Sequence, residues 1–459
     1  MADLARTADL LIVGAGLAGC VAALTAAQAG VDVILVEKLD QPGGSSAMSA
    51  GCLAFAGTDL QHASSIEDSP ELLYRDLRKV GKEDNVAEVV RAYADEQLAT
   101  YGWLRECGIE FSPVIEASSG QSVPRVHSTD PVALVNLLAE RCRASGRVDF
   151  KFSSAARRLL RRDEDSAVNA ALVDGRDGRY QIVTHYGVVL AAGGFCQDRE
   201  LVHRYAPQYD EAVFMSGAGA TGDGLRMACA LGADLRDMAH IKGTFGKHPD
   251  DANNSLNCMA VYKGAIAVNK AGRRFVDESQ SYKLLGDACM AQPGHIAYQI
   301  LDQDILESGE NSVRILDLMR RHEAGQFITA DSLDKLAARI EVPAQRLRLT
   351  VENYNRTIGS GAEPEFGRRH LVHEYGALRR IERAPFHAYL STAAVFGTYC
   401  GIAVDGQMRV RNVFGELIPG LYAAGEVVGG LHGAAYMTGS ALGKAAIFGR
   451  IAARSALSR

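Results

Sequence analysis

The chain has 459 residues, of which 47% are hydrophobic and 23% are charged, and this excludes a disordered chain, a collagen and a small disulfide scaffold. Its 49 Lys and Arg against 55 Asp and Glu give a net charge of −6, which argues against nucleic acid or an anionic membrane surface as the main partner. The nine cysteines show no CxxC or Cys/His spacing, so we expect reduced thiols in a cytoplasmic protein and no metal site.

The first predicted elements lie in the stretch that begins at Asp9, DLLIVGAGLAGCVAALTAAQAGVDVILVEK. Apolar runs on either side of an Ala-rich segment predict a strand, a helix and a second strand. The GxGxxG sequence between the first strand and the helix is typical of dinucleotide-binding units, because its glycines let the backbone approach a pyrophosphate at the helix N-terminus. Glu37 ends the second strand, where an acceptor for ribose hydroxyls belongs. The expected cofactor contacts in this unit are Gly14, Ala15, Gly16, Gly19, Glu37 and Lys38.

Part of this stretch, Leu10 to Val31, carries no charge and has to be considered as a membrane span or a signal peptide. Its glycines and alanines, and the acidic residues before it, favour the βαβ unit instead. No membrane span is therefore expected.

The next segment, LDQPGGSSAMSAGCL, favours a flavin over a nicotinamide cofactor. A flavin cofactor is long, and Gly and Ser can bring backbone and hydroxyls close along its length. Gly and Ser also dominate ordinary loops, so composition alone leaves a flexible loop open. The expected contacts are Gly43, Gly44, Ser45, Ser46, Ser49 and Gly51.

Further along, Ser69-Pro70 and Asp130-Pro131 each have the sequence of a helix N-cap followed by proline in the first turn. The glycine bunches stop after about residue 235 and helical patterns increase. Within residues 299–357, Asp331-Ser332 predicts a helix start and Val342-Pro343 a break. We interpret this region as a cap.

Three later segments carry a resemblance: VVLAAGGFCQD at 188–198, ATGDGLRMACALGA at 220–233, and IPGLYAAGEVVGGLHGAAYMTGSALGKAAIFGRIAA at 418–453. With the first glycine bunch they resemble the FAD-dependent oxidoreductases that include fumarate reductase and succinate dehydrogenase flavoproteins, 3-ketosteroid dehydrogenases and tricarballylate dehydrogenase. The resemblance implies an α/β fold, a Rossmann-like FAD-binding domain of the GR2 type with an inserted α+β capping domain. The expected boundaries are 1–235 and 377–459 for the FAD-binding domain and 236–376 for the cap.

The resemblance also implies cofactor contacts in these later segments. Thr221 and Asp223 stand at a predicted helix start, where short polar side chains can cap free amides. The helix that starts at Ser440 would direct its positive end toward the flavin and favour its anionic reduced form. Succinate dehydrogenases attach FAD to a His in the loop corresponding to residues 43–51, and no His lies there, so noncovalent FAD is expected. The implied contacts are Ala192, Gly193, Asp223, Glu426, Ser440, Ala441 and Leu442.

The fumarate reductases of the family grip a dicarboxylate with cations, and this chain lacks them. The Arg four residues after the motif carboxylate Glu278 corresponds here to Tyr282, and the Arg that follows HGNN corresponds to Tyr436 after HGAA. The His before TMGG corresponds to Gly397. His248, in GKHP, matches a segment whose His contacts substrate in the family, and is the third candidate catalytic residue.

Loss of these cations argues against a dicarboxylate, because burying one needs paired charge or several hydrogen bonds. A tyrosine can donate to a ketone oxygen and, as phenolate, can take an acidic α-proton, although its ordinary pKa of about 10 would need to be lowered. The pattern resembles the ketone dehydrogenase branch, which includes 3-ketosteroid Δ4-dehydrogenases and desaturases of cyclohexanone or 4-oxocyclohexanecarboxylate type.

The leading hypothesis is an FAD-dependent dehydrogenase that introduces a C=C bond α,β to the carbonyl of a cyclic ketone and passes electrons to an external acceptor. Tyr436, favoured as the base, and Tyr282 can also be structural, as most tyrosines are. The alternative enzymes are a reductase of a conjugated double bond and a tricarballylate-like carboxylate dehydrogenase. A flavin-binding subunit without turnover is the alternative from another class. Arginines that can still supply a cation are Arg125, Arg274, Arg379, Arg380 and Arg383.

Overall fold

Two large sheets organise the chain in a computed structural model, which describes residues 5–250, 257–308 and 313–458. In chain order the strands are β1 (Ala5–Val13), β2 (Val33–Val36), β3 (Cys52–Ala54), β4 (Val126–Ser128), β5 (Val148–Lys151), β6 (Ala155–Leu160), β7 (Ala170–Gly175), β8 (Gly178–Leu190), β9 (Val213–Phe214), β10 (Leu235–Arg236), β11 (Lys242–Lys247), β12 (Ile266–Val268), β13 (Ala297–Asp302), β14 (Phe327–Ala330), β15 (Phe386–Gly397), β16 (Gly401–Ile402), β17 (Arg409–Arg411) and β18 (Leu417–Ala423).

The α-helices connect and cover these strands. They are α1 (Leu17–Gln28), α2 (Gly44–Ala47), α3 (Asp59–Ala63), α4 (Pro70–Val80), α5 (Ala87–Glu106), α6 (Pro131–Ala144), α7 (Arg199–Tyr205), α8 (Asp223–Cys229), α9 (Tyr282–Met290), α10 (Gln303–Glu307), α11 (Leu318–Glu323), α12 (Leu333–Arg339), α13 (Ala344–Thr357) and α14 (Ser440–Leu457).

The larger sheet has eight strands, in the order β17-β18-β8-β1-β2-β5, with β7 also beside β8 and β6 beside β7. β1 is parallel to both β2 and β8. These central strands are apolar and buried, as expected for parallel strands covered by helices. The predicted βαβ unit is confirmed as β1, α1 and β2, and the Rossmann-like fold is confirmed with it.

Two glycines of the GxGxxG sequence are required by close backbone approaches. A Cβ on Gly14, where φ is 106°, would lie 2.4 Å from the carbonyl oxygen of Ala191, and a Cβ on Gly19 would lie 1.8 Å from that of Gly14. The first glycine therefore lets β1 end against the chain that leaves β8. The last lets α1 pack on the turn, which is the role that the spacing predicts.

The second sheet has six strands, in the order β11-β15-β13-β12, with β14 and β9 also paired to β15. All of its strand pairs except β9 with β15 are antiparallel. Helices α9 to α13 follow or precede its strands in the chain, which gives an α+β cap.

The boundaries expected at 235/236 and 376/377 stay a prediction, because strand pairing alone does not divide the chain into domains. β15 runs to Gly397 within the cap sheet, and β9, at Val213–Phe214, already pairs with it. An apolar run such as FHAYLSTAAVFG predicts a buried strand, but its sheet depends on partners far away in sequence.

Local helix signals agree with the structure. The side chains of Ser69, Asp130 and Ser332 accept hydrogen bonds from first-turn amides of α4, α6 and α12, which confirms these starts. The uncharged stretch from Leu10 to Val31 is divided between β1, the glycine turn and α1. Across the three described ranges, none of the helices is long and apolar enough to cross a membrane.

The chain has two hydrophobic cores among its described residues, and they contact each other near the start of α14. One surrounds the larger sheet and includes residues of α1, α5 and α14. The other fills the cap, yet it also contains Cys52 of β3 and Tyr436, which precedes α14. The cap therefore packs directly against the segments that resemble the flavin-binding motifs.

Candidate active site

A long cleft is lined by the βαβ unit, the Gly/Ser loop, α8, the start of α14 and the cap. Most of the expected cofactor contacts line it. These are Gly14, Gly16, Glu37, Lys38, Gly44, Ser45, Ser46, Ser49, Ala192, Gly193, Asp223, Glu426, Ala441 and Leu442. The catalytic candidates Tyr282 and Tyr436 line it as well.

Five expected contacts do not line the cleft. Ala15 donates its amide to Glu37 at 2.8 Å, and Gly43 donates its amide to the carbonyl of Ala15 at 3.0 Å. Gly19 packs α1 on the turn, and Gly51 accepts the amide of Thr129 at 2.9 Å. The hydroxyl of Ser440 is buried and donates to Met437 O at 2.6 Å. These residues lie behind the cleft surface, where their contacts hold the lining segments in position.

The N-terminus of α1 offers a place for a pyrophosphate. Gly16 is its N-cap and supplies no side-chain cap, so amides of the first turn are available beside Gly14, Gly16 and Ala18 in the cleft. The Gly/Ser loop is fixed beside it. Ser46 Oγ accepts the amide of Leu17 at 3.2 Å, and Ser45 Oγ accepts the amide of Gly217 at 3.0 Å.

Glu37 is held rigidly at the end of β2. Its two carboxylate oxygens accept the amides of Ala15 at 2.8 Å and Leu39 at 2.9 Å. Each oxygen keeps a further lone pair, so the carboxylate can still accept from ribose hydroxyls.

The expected capping role of Thr221 and Asp223 at α8 is wrong. The N-cap is Gly222, with φ of 74° and no side-chain cap. The two side chains instead bind the ammonium of Lys38, at 2.5 Å each. A lysine distant in sequence competes better for these oxygens than the helix amides do, because it adds charge to the hydrogen bond.

Glu426 and Lys444 both line the cleft, and each affects the ionisation of the other. Glu426 Oε1 accepts the amide of Thr398 at 2.9 Å, and Lys444 Nζ donates to Val428 O at 2.8 Å. Burial raises the pKa of Glu426, while the Thr398 amide and Lys444 oppose that rise. Burial lowers the pKa of Lys444 to about 8, against the opposing effects of Glu426 and Asp237.

Three tyrosine rings meet in the cleft, and we call Tyr282, Tyr399 and Tyr436 the tyrosine cluster. The ring centroid of Tyr436 lies 5.4 Å from that of Tyr282 and 4.8 Å from that of Tyr399. Its hydroxyl also accepts the amide of Ala441, at 3.4 Å, at the start of α14. The ring of His432 packs against it at 5.3 Å.

Within the cluster, Tyr436 is the easiest to ionise. Burial raises the pKa of Tyr436 to about 12, and the Ala441 amide and the hydroxyls of Tyr282 and Tyr399 oppose this rise. Burial raises the pKa values of Tyr282 and Tyr399 well above the ordinary range. The pKa of Tyr436 is therefore not lowered below that of a free phenol, as a tyrosine base was expected to need. The reason is that desolvation of the phenolate outweighs the donors around it.

The other candidates do not line the cleft. His248 is not among the cleft residues, and its ring packs edge-on against Tyr389 at 5.5 Å. Arg125 pairs with Asp68 and Asp76, and Arg274 with Glu278. Arg379, Arg380 and Arg383 are exposed and none of them lines the cleft. No arginine among the described residues lines it.

Two of the wall residues that were not predicted from the sequence are Tyr399 and Lys444. Tyr399 stands in FGTYCG, a segment recognised for its lost histidine, and the tyrosine two residues later was the available signal. Lys444 is a charged residue in the otherwise apolar first half of α14, which is itself unusual for a buried helix.

These residues fit FAD. The amides at the start of α1 suit its pyrophosphate, and Glu37 suits its ribose. The hydroxyls of the Gly/Ser loop and Glu426 suit the central part of the cofactor. The tyrosine cluster also lines this cleft. The comparisons agree. The family model described as FAD binding domain matches residues 9–442. A fumarate reductase (cytochrome) of Shewanella frigidimarina is 32% identical over 98% of this chain and 77% of its own.

Solved structures show the same fold. An open conformation of a flavocytochrome c3 fumarate reductase has a TM-score of 0.76 and 30% identity over 98% of this chain and 78% of its own. The 3-ketosteroid-Δ4-(5α)-dehydrogenase of Rhodococcus jostii RHA1 has a TM-score of 0.80 and 24% identity over 99% and 97%. FAD is thus the cofactor of this chain, which belongs to the FAD binding domain family and is an FAD-dependent oxidoreductase.

Proposed function

We propose that this enzyme is a dehydrogenase that introduces a C=C bond α,β to the carbonyl of a cyclic ketone. The observation that carries the proposal is the tyrosine cluster, three hydroxyl-bearing rings in the cleft at positions where no arginine of the described chain is found. Neutral hydroxyl groups suit a neutral carbonyl. A dicarboxylate would lose its hydration there without gaining paired charge.

The pKa values of the three tyrosines indicate which of them acts as the base and which act as hydrogen-bond donors. Tyr436 ionises first, so it is the group that removes the acidic proton from the carbon beside the carbonyl. The Ala441 amide and the positive end of α14 stabilise its phenolate. Tyr282 and Tyr399 stay protonated, and one of them can turn its O–H from Tyr436 to the carbonyl oxygen, which stabilises the charge that develops there.

Bound FAD supplies the two-electron acceptor for the second hydrogen, taken from the next carbon. The chain's own part is to hold the ketone, to move the α-proton to Tyr436 Oη, and to exclude water. An external acceptor must then reoxidise the cofactor. We leave His248 out of this scheme because it does not line the cleft and its ring packs on Tyr389.

A reductase of a conjugated double bond is the second candidate. It is favoured by the relative at 32% identity, which is a fumarate reductase. The same residues would then work in reverse, with Tyr436 giving a proton to the α-carbon. The substrate would still be a neutral or phenolic alkene rather than fumarate, because the cluster supplies no cation.

The test is anaerobic titration of the purified yellow protein with cyclic ketones, dicarboxylates and tricarballylate, followed by loss of the oxidised flavin absorbance. We expect ketones alone to bleach it. Bleaching by carboxylates alone would refute the proposal. Oxidation of the chemically reduced protein by an unsaturated ketone, without bleaching by the saturated one, would favour the reductase. No response to any compound, and no turnover with an artificial acceptor, would favour a flavin-binding subunit.

A further inference from the structure

Lys444 is a fully buried cation in the wall of the cofactor cleft, and the scheme above does not use it. Its relative exposure is 1%, and it lines the cleft with Ala441, Leu442 and Ala445 of α14. An ammonium in such surroundings is costly unless it is paired and hydrogen-bonded. Its retention within a small-residue, apolar helix face therefore calls for a partner.

The protein satisfies only part of this side chain. Within the described residues, Val428 O is the one hydrogen-bond acceptor of Nζ, at 2.8 Å. An ammonium carries three N–H donors, so two remain. The titratable groups that face Lys444 are Glu426, Asp237 and Cys400.

Both neighbouring carboxylates are engaged elsewhere. Glu426 accepts the Thr398 amide at 2.9 Å. Asp237 accepts the amides of Gly430 at 2.9 Å and Gly433 at 3.3 Å. The carboxylates lessen the cost of the buried charge without occupying its donors, which leaves those donors for a polar group in the cleft.

We propose that Lys444 raises the reduction potential of the bound FAD, by donating to the cofactor and by stabilising the negative charge that it gains on reduction. A buried cation acts strongly on a charge in the same cleft because little water screens it. The effect adds to that of the positive end of α14. A more oxidising cofactor suits an enzyme that removes hydrogen from its substrate.

The proposal predicts a proton coupled to the electrons. In the absence of added charge, burial lowers the pKa of Lys444 to about 8. A cofactor that gains negative charge raises it again, so above about pH 8 reduction makes Lys444 take up one proton. The protonation of Lys444 then depends on the cofactor, with Glu426, Asp237 and Cys400 as the other groups that face it.

The experiment measures the midpoint potential of the holoenzyme against a reference dye, without substrate, for the parent, K444M and K444R. We expect K444M to lower the equilibrium constant for two-electron reduction at least tenfold, which is about 30 mV, and K444R to retain most of the parent value. Arg450→Met is the control, because Arg450 is also on α14 but donates to Thr100 and does not line the cleft. It should leave the potential unchanged.

A K444M potential equal to that of the parent would overturn the proposal. If K444M does not retain FAD, K444Q and the pH dependence of the parent potential decide. The parent should take up one more proton per two electrons above about pH 8 than below it. An unchanged proton count across this range, together with a K444Q potential equal to that of the parent, would overturn the proposal, and neither readout depends on the identity of the substrate.

Discussion

Tyr436→Phe removes the hydroxyl group that we propose as the base. In the parent, that hydroxyl has a pKa of about 12, roughly 2 above a free phenol, which corresponds to about 2.7 kcal/mol against the phenolate. At pH 7 only roughly one molecule in 10⁵ carries the phenolate. The parent rate of flavin reduction by ketone should therefore rise about tenfold per pH unit from pH 7 to pH 10, since a base must be deprotonated to act.

General base catalysis typically contributes ~10²–10⁴-fold, and we expect Tyr436→Phe to lower the rate by that order. FAD should stay bound, because the ring and its packing are kept. The assay is anaerobic stopped-flow mixing of oxidised enzyme with ketone, in which one turnover is followed as flavin bleaching. Tyr354→Phe is the matched control. Tyr354 is buried in the cap core, and its hydroxyl has no hydrogen-bond partner within the described chain.

Two results would refute the reasoning. If Tyr436→Phe is reduced at the parent rate, Tyr436 has no part in the chemistry. If the variant is slow but the parent rate does not change with pH, Tyr436 acts as a hydrogen-bond donor to the carbonyl and the base lies elsewhere.

Four further outcomes follow from the structure. Glu37→Arg should strongly reduce the flavin absorbance per chain, because it removes the acceptor of two amides, whereas Asp40→Arg, at an exposed neighbour, should not. Acid precipitation should release all the flavin, and yellow colour in the pellet would contradict noncovalent binding. Tyr282→Phe should slow reduction less than Tyr436→Phe, measured in the same stopped-flow assay. Lys444 has a pKa of about 8 in the fold against an ordinary value of 10.5, so the unfolded apoprotein holds more protons between these values. Its free energy of unfolding should rise with pH across this range by at most about 3 kcal/mol, measured by urea denaturation, and K444M should abolish the rise.

Much of the cofactor-binding part was predictable because its signals are local. The GxGxxG spacing places a turn between strand and helix, and the caps at Ser69 and Asp130 act within one helical turn. Such interactions join residues a few positions apart, so the sequence alone contains both partners. Assignment of Tyr282 and Tyr436 to one site came from the resemblance, and the structure brings their rings to 5.4 Å.

The remaining features join residues far apart in the chain. Lys38 was expected beside the cofactor, but its pairing with Asp223 depends on how α8 lies against β2. The apolar sequence of β15 indicates a buried strand, but it cannot show that the strand pairs with β11, β13 and β14. The pKa of Tyr436 depends on how deeply its hydroxyl is buried, and a sequence motif does not contain that information.

The sequence by itself thus determined the dinucleotide-binding unit, the helix starts and, through its motifs, the flavin family, because these depend on short-range backbone geometry and residue type. Only the tertiary structure decided which side chains share the cleft. It brought Tyr399 to the tyrosine cluster, buried Lys444 beside Glu426 and left His248 against Tyr389. The physical reason is that desolvation and charge pairing depend on distances between residues that are remote in sequence, and folding alone sets those distances.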